Sequence, residues 1–489
     1  MNLTSRDSRR SDGYISSLIA CVLLAVASPA SGADDLSLIE AVKNRDSRAA
    51  ATLVANEVDV NARQPDGTTA LHWAAQWDDA STADLLIRAG AHADVANDYG
   101  ATPLSMAALN GSAPMVERLL ESGAPPNTAL PSGETALMTA ARSGSVEAVR
   151  ALVAAGADVD ATELAMGQTA LMWAVAERHM DVVRTLVESG ANAGARSASG
   201  FTPLLFAARM GDRDLVRFFL ERGADINEAA DDGATPLVVA TVRGHAELAE
   251  WLLDRGADPN KDTIGYTALH WAAGTFDTRS THEYTTEDGE WQALAGIANR
   301  DAKLSLIEDL LARGADVNAR VTGRMPRFGY TLGGGSITGG GSYVGATPFF
   351  LAATVGDTEI MRFLLAYGAD PLLETKDGTT PLMAAAGISF VEEETSATES
   401  QLLEALKLTL QLGNDLNASN AAGATALHAT AYVGFNVIAQ FLVDQGAVVN
   451  ARDKGGRTPL TIAAGIPRLG MFFSQPETET LLRSLGGIE

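Results

Sequence analysis

The sequence predicts an all-α solenoid, and three observations carry that expectation. A glycine returns at an almost constant interval, at Gly67, Gly100, Gly133, Gly167, Gly200, Gly233 and Gly265, each inside a near-identical phrase such as Gly67-Thr68-Thr69-Ala70-Leu71. A second glycine series runs in step with the first, at Gly90, Gly123, Gly156, Gly190, Gly223 and Gly256. Between the two, apolar residues recur with helical spacing. Self-similarity at this period marks a stack of repeated units, each a small piece of supersecondary structure.

The segment from Met1 to Ala33 stands apart from the repeats. Arg6, Arg9 and Arg10 make a basic start, Ile15 to Ala27 form an apolar core, and Ser31-Gly32-Ala33 places small residues before Asp34. This pattern predicts a secretory signal peptide cut after Ala33, its core too short to span a membrane. An uncleaved anchor is the rival reading. Arg9-Arg10 as a twin-arginine signal and Leu18-Ile19-Ala20-Cys21 as a lipobox are weaker refinements. Cys21 is the single cysteine, so a chain cut after Ala33 has no disulfide, thiol nucleophile or thiolate metal site.

Residues 34–64 read as a degenerate capping unit, in which Glu57 stands where later units carry glycine and Lys43, Asn44 and Arg45 dilute the apolar pattern. Residues 65–263 hold six regular units. In the unit at 198–230, Thr202 suits a helix N-cap and Pro203 the first helical position. Ala207 and Ala208 allow a neighbouring helix to approach, and Gly211 breaks the chain. Leu215, Val216, Phe219 and Leu220 form one apolar stripe of a second helix, with Arg217 and Glu221 outside. Gly223 fits a left-handed helix end. A short Asp/Asn-rich loop then leads to the next glycine.

All the large irregularities of spacing fall between residues 274 and 400, within the three insertion-bearing repeats at 264–420. The interval from Gly265 to Gly314 is about twice that from Gly233 to Gly256, and the interval from Gly314 to Gly345 about three times that from Gly256 to Gly265. The interval from Gly378 to Gly413 is lengthened by about half. The added segments fall at about 276–301, 323–343 and 391–401. Leu294, Ile307, Leu310 and Leu311 also permit Asp288 to Ala319 as an extra degenerate repeat. Residues 421–489 read as a last repeat and a C-terminal cap. Ordering one unit costs on the order of 50 kcal/mol, which needs roughly 2,000 Å² of apolar burial; two short helices cannot supply it alone, so neighbouring units must.

Thr69-Ala70-Leu71-His72-Trp73-Ala74-Ala75, repeated at 267–273 and nearly so at 425–431, together with Gly314-Ala315-Asp316-Val317-Asn318-Ala319, resembles the ankyrin repeat family, over nearly everything after residue 34 and in about twelve repeats. The resemblance implies an ankyrin-repeat solenoid of stacked antiparallel helix pairs with projecting hairpin loops. It implies that His72, His270 and His428 hydrogen-bond their threonine and adjoining backbone. It implies further that variable positions at the ends of the first helices and on the hairpins contact a partner. These are Trp77, Arg142, Met210, Arg243 and Tyr432 at helix ends, and Tyr99, Phe201 and Tyr266 on hairpins. Arg327 and Tyr330 in the Gly-rich segment are further candidates. Trp73, Trp173, Trp251 and Trp271 recur at core-side positions and are expected to pack.

Chemistry finds little support. Gly333 to Gly341 lacks the Gly-Lys-Ser/Thr close of a phosphate loop, and there is no Gly-x-Ser-x-Gly or His-Glu-x-x-His. His282, near Glu283 and Glu287, is the one histidine outside the repeat pattern, and a solvated loop is the simpler account of it. A net charge of −25 disfavours nucleic acid. The expectation is a periplasmic or secreted, monomeric, non-enzymatic scaffold of bacterial type. It would take another protein as partner and no cofactor or metal, with no nucleic acid and no membrane insertion after signal cleavage. A ligand-binding or catalytic site built by the insertions, and a secreted effector, are the alternatives.

Overall fold

The computed structural model describes residues 36–263, 265–274, 297, 299–323, 343–388, 397–468 and 471–489. They fall into two compact units, divided after Pro131.

The first unit holds three helix pairs: α1 (Ser37–Lys43) with α2 (Ser47–Ala55), α3 (Ala70–Gln76) with α4 (Ala80–Arg88), and α5 (Pro103–Leu109) with α6 (Ala113–Glu121). First helices pack on first helices and second on second. The local sequence dictates the starts: Thr102 Oγ1 accepts from the Ser105 amide at 3.1 Å while Ser105 Oγ accepts from the Thr102 amide at 2.9 Å, and Pro103 fills the first turn. Leu71, Ala74, Ala75, Leu104, Ala107 and Ala108 are buried, as the alanine pairs allow. Gly90 and Gly123 sit at φ 92° and 91° with open space where a Cβ would lie, so backbone conformation and not crowding selects glycine there. Glu57, at the matching place in the first pair, adopts φ 59°.

The second unit repeats the plan from residue 132 to 489. Its first helices are α7 (Ala136–Ser143), α9 (Ala170–Ala176), α11 (Pro203–Arg209), α13 (Pro236–Val242), α15 (Ala268–Ala273), α17 (Pro348–Thr354), α19 (Pro381–Ala385), α21 (Ala426–Val433) and α23 (Pro459–Ala464). Their partners are α8 (Val146–Ala154), α10 (Met180–Glu188), α12 (Arg213–Leu220), α14 (Ala246–Leu253), α16 (Arg300–Ala312), α18 (Thr358–Ala366), α20 (Glu399–Gln411), α22 (Asn436–Asp444) and α24 (Pro476–Ser484). Two short antiparallel pairs interrupt the helices: β1 (Asp262–Thr263) with β2 (Tyr266–Thr267), and β3 (Ile466–Arg468) with β4 (Met471–Phe473). The second of these lies between the helices of the last pair, where the sequence pattern predicted none.

Successive hairpins are joined backbone to backbone. In the first unit the Asp98 amide donates to the Asp66 carbonyl at 2.8 Å; in the second, Leu164 donates to Ser132, Ala198 to Met166, Lys376 to Val344 and Lys454 to Ala422 at 2.7 to 2.8 Å. An asparagine ladder runs beside them. Asn61 Nδ2 donates to the Gly90 carbonyl while its Oδ1 accepts from the His92 amide. Asn260 does the same with Gly314 and Asp316, at 2.8 Å each. Asn318 bonds Gly368 and Asp370.

This ladder decides how the first two long spacings are accommodated. Asn61 reaches 29 residues ahead; Asn260 makes the identical contact 54 residues ahead, and Asn318 makes it 50 ahead. The register between neighbouring units is therefore the same across both long spacings as at Asn61. Helix α16 packs on α14 and α15 as the second helix of the unit opened by Ala268, which sets aside the extra-repeat parse from Asp288. The inserted stretches are also shorter than their expected bounds. Arg300 and Asp301 already belong to α16, capped by Asn299, and Glu399 to Gln401 belong to α20, capped by Thr398.

Candidate functional site

The end of each first helix presents two adjacent positions whose occupants change while the framework does not. Trp77, Met210 and Arg243 are C-cap residues of α3, α11 and α13; Arg142 lies in the last turn of α7 and Tyr432 in that of α21. All five are half-buried. In the first unit Trp77 stacks on Trp73 with ring centroids 5.9 Å apart, and the Arg45 guanidinium lies 4.5 Å over the Trp77 ring. Lys43 lies 5.3 Å over Trp73. Trp77 Nε1 is buried without a hydrogen-bond partner among the described residues. In the second unit the Arg142 guanidinium lies 4.7 Å over Trp173. Trp173 is thus half-buried beneath an arginine, not enclosed in the core, and Trp251 is likewise half-buried, 3.6 Å under Arg255. Trp73 and Trp271 are core residues as expected.

The hairpin candidates divide. Tyr99 is 45% exposed, one residue before its glycine. Phe201 is 2% exposed and Tyr266 fully buried, one residue after theirs. Phe201 packs edge-on to Phe206 at 5.8 Å, and Tyr266 lies 5.5 Å from Trp271. The expectation that these two contact a partner is corrected: their slot also holds Ala101, Ala234, Ala346 and Ala424, all buried, and it points into the core. Arg327, Tyr330 and His282 lie outside the described residues, as do the predicted signal peptide and most of the three insertions.

The histidines are structural clamps. The Thr69 amide donates to His72 Nδ1 at 3.1 Å, which leaves the proton on Nε2 to donate to the Ala101 carbonyl of the next unit at 3.1 Å. His270 repeats this with Thr267 and Ala319, reaching 49 residues ahead where His72 reaches 29. His428 does so with Thr425 and Arg457. Burial holds His72 and His270 down at about 4 and lowers His428. A second histidine set works at the turn between helices. His179 Nε2 bonds the Arg142 carbonyl and His245 Nε2 the Arg209 carbonyl, both at 3.0 Å, each ring lying against the preceding turn glycine, Gly144 or Gly211. Desolvation lowers the pKa of His245.

Neighbouring side chains at the same helix ends belong to this surface, although comparison of one position per repeat does not pick them out. Arg178, exposed at φ 61°, donates to the Met210 carbonyl, and Arg209 lies one residue before Met210. The signal was available, because Arg142, Arg178, Arg209 and Arg243 each lie within two residues of the helix-ending turn in four consecutive repeats. Among the described residues no group of three or more His, Cys, Asp or Glu could hold a metal ion, and no helix is long and apolar enough to cross a membrane.

The comparisons agree with the repeat fold. The chain matches the family described as ankyrin repeats (3 copies) over residues 38–130, 124–197, 162–230, 204–280 and 395–467, and that described as ankyrin repeat over 344–376. It belongs to the ankyrin repeat family. It is also similar to the NF-kappa-B inhibitor alpha of Sus scrofa, 35% identical over 107 residues, which is 22% of this chain and 32% of that protein. The match thus spans about a third of the relative's length. Ankyrin repeats are general protein–protein interaction modules.

Proposed function

We propose that this chain is a non-enzymatic interaction protein that holds another protein through the ends of its first helices. The observation that carries the reading is the contrast within each repeat. The N-cap threonine, the buried leucine and the alanine pair recur because packing needs them, whereas two adjacent helix-end positions vary, one holding Trp77, Met210, Arg243 or Val355 and the residue before it Arg142 or Tyr432. A slot that tolerates any side chain is not fixed by the fold, and half-exposed aromatics and arginines are the usual anchors of an interface. Tyr99 on its hairpin extends the candidate surface of the first unit. The relative is named as an inhibitor of NF-kappa-B, which fits the same mode of action.

The proposal extends to location. The basic start, short apolar core and small residues before Asp34 support export to the periplasm or beyond, with the array working there as a monomer. N-terminal sequencing of exported protein should start at Asp34; a full-length cytoplasmic chain would overturn the export proposal. For the binding surface, Trp77→Ala, Met210→Ala, Arg243→Ala and Tyr432→Ala, singly and together, should remove at least one protein that co-purifies with the full chain, at unchanged helical content. An unaltered set of co-purifying proteins in the fourfold variant would count against a role for these helix ends.

A further inference from the structure

Asn110-Gly111 is the single asparagine–glycine pair in the sequence. It ends α5, with Asn110 as the C-cap at φ −75° and ψ −10° and Gly111 beyond it at φ 65°. The Asn110 side chain is the joint to the preceding repeat: Nδ2 donates to the Ala75 carbonyl at 3.0 Å and to the Gln76 carbonyl at 2.9 Å, where α3 ends. Joints of the second unit close on the corresponding carbonyls with other donors. His179 bonds the Arg142 carbonyl, His245 the Arg209 carbonyl, and Gln475 Nε2 donates to the carbonyls of Tyr432 and Val433.

Of these four donors, Asn110 alone can be hydrolysed with the help of its own backbone. An imidazole holds no amide, and Gln475 precedes Pro476, whose ring nitrogen has no proton to lose. Asn110 precedes glycine, which brings no side chain to crowd the approach of its nitrogen, and it is exposed to water. The Gly111 amide gives its proton to hydroxide, its nitrogen bonds to Asn110 Cγ, and the Cγ–Nδ2 bond breaks, the nitrogen taking a proton back from water and leaving as ammonia. Water then opens the cyclic imide at either carbonyl, which yields aspartate or isoaspartate.

The closed turn opposes this reaction. The Gly111 N–H is committed to the Ala108 carbonyl at 3.0 Å, and the leaving nitrogen is held by two acceptors. The ring closes only from an opened turn, a local event that costs less than unfolding the array. Once converted, the side chain carries a carboxylate oxygen where Nδ2 stood, an acceptor facing two carbonyls that have lost their donor.

We propose that Asn110 is a spontaneous modification site gated by the turn between α5 and α6, and that its conversion unlocks the joint between α3 and α5. Asn110 holds the helix-end position that Trp77 holds one repeat earlier, so the new charge falls on the surface proposed above for a partner. The conversion itself does not depend on that reading.

The test holds the full chain in mildly alkaline buffer, folded or in concentrated urea, and follows peptides across residues 110 and 111 by mass spectrometry, with isoaspartate separated from aspartate by chromatography. Asn110 should be the fastest asparagine to convert in urea, and should convert at least about tenfold more slowly in the folded chain. Ser112→Ala, which removes the N-cap of α6, should narrow that gap several-fold. N110D should unfold at a lower urea concentration than N110A, because both lack the donor and only the first adds a facing acceptor. Should N110D not fold, faster hydrogen exchange in α5 and α6 of the partly converted parent reads the same loss. Equal rates in folded and unfolded chains, or an Asn110 that stays intact in the folded chain, would overturn the gated site. An N110D variant as stable as N110A, or unchanged exchange after conversion, would overturn the unlocking. None of these measurements involves a partner, so their failure leaves the interaction reading intact.

Discussion

Acid should destabilise this protein through its buried histidines, by an amount that follows from two numbers. In the folded chain the Thr69 amide donates to His72 Nδ1 and Nε2 donates to the Ala101 carbonyl, so a second proton has no place without breaking the first contact. Desolvation accordingly holds His72 at about 4, against the ordinary 6.5 it regains when unfolded. Between those values the unfolded chain binds a proton that the folded chain refuses, and stability rises with pH across that window and falls as acid is added. Integrating from pH 7 to pH 5 gives a loss of about 2 kcal/mol for His72, and the same for His270, whose value is also about 4. The assay is urea unfolding at both pH values for the parent and for His72→Gln and His270→Gln. Each variant should be less stable at pH 7, for want of the bridge, yet be spared on acidification the share that its histidine contributes to the parent's loss. In the parent, the His72 ring resonance should not titrate above pH 5 by NMR. A midpoint near 6.5, or identical pH dependence in parent and variants, would refute the reasoning.

Three further substitutions probe the framework. Gly211 has φ 68°, and a Cβ there would lie 2.5 Å from His245 Nδ1; Gly211→Ala should destabilise by roughly 2 kcal/mol in thermal or chemical unfolding, with Gly211→Asn tolerated no better because the ring contact remains. Glu163, buried in a hairpin, accepts from the amides of Ala165, Met166 and Gln168 at 2.6 to 2.9 Å. Glu163→Ala should cost about 2–3 kcal/mol by stranding those donors, measured by urea titration. Asn260→Ala removes two bonds across the longest spacing and should cost about 1–2 kcal/mol, matching Asn61→Ala in the first unit; a much smaller loss at Asn260 would mean that the ladder does not bear on stability there.

Much of the fold was legible because each unit states the same constraints. Threonine before proline or alanine, alanine pairs, and glycine at the left-handed position report backbone geometry directly, and the structure uses them so. The threonine–histidine bond was implied by resemblance, but its second half was not: Nε2 reaches the following unit, a contact with no local signature. The site was read less well. Phe201 and Tyr266 looked like exposed hairpin aromatics because they follow a turn glycine. The alanines that fill this slot elsewhere carried the opposite message, since a position that accepts Ala101 and Ala234 faces packed neighbours. Trp173 erred the other way, because an arginine lid over an indole leaves no trace in periodicity. The helix-end arginines of four consecutive repeats went unseen because repeat alignment compares one column at a time, whereas these four come from adjacent columns.

The asparagine ladder has a consequence for how such a chain can change over generations. Because Asn260 and Asn318 make the contacts that Asn61 makes, however much chain intervenes before the next unit, the joints of the array are indifferent to what hangs between them. Each doubling of an intervening segment adds only about 0.6 kcal/mol of closure entropy. Genetic additions at these points therefore meet almost no resistance from the framework, and new surface can be tried out there without renegotiating a single core contact.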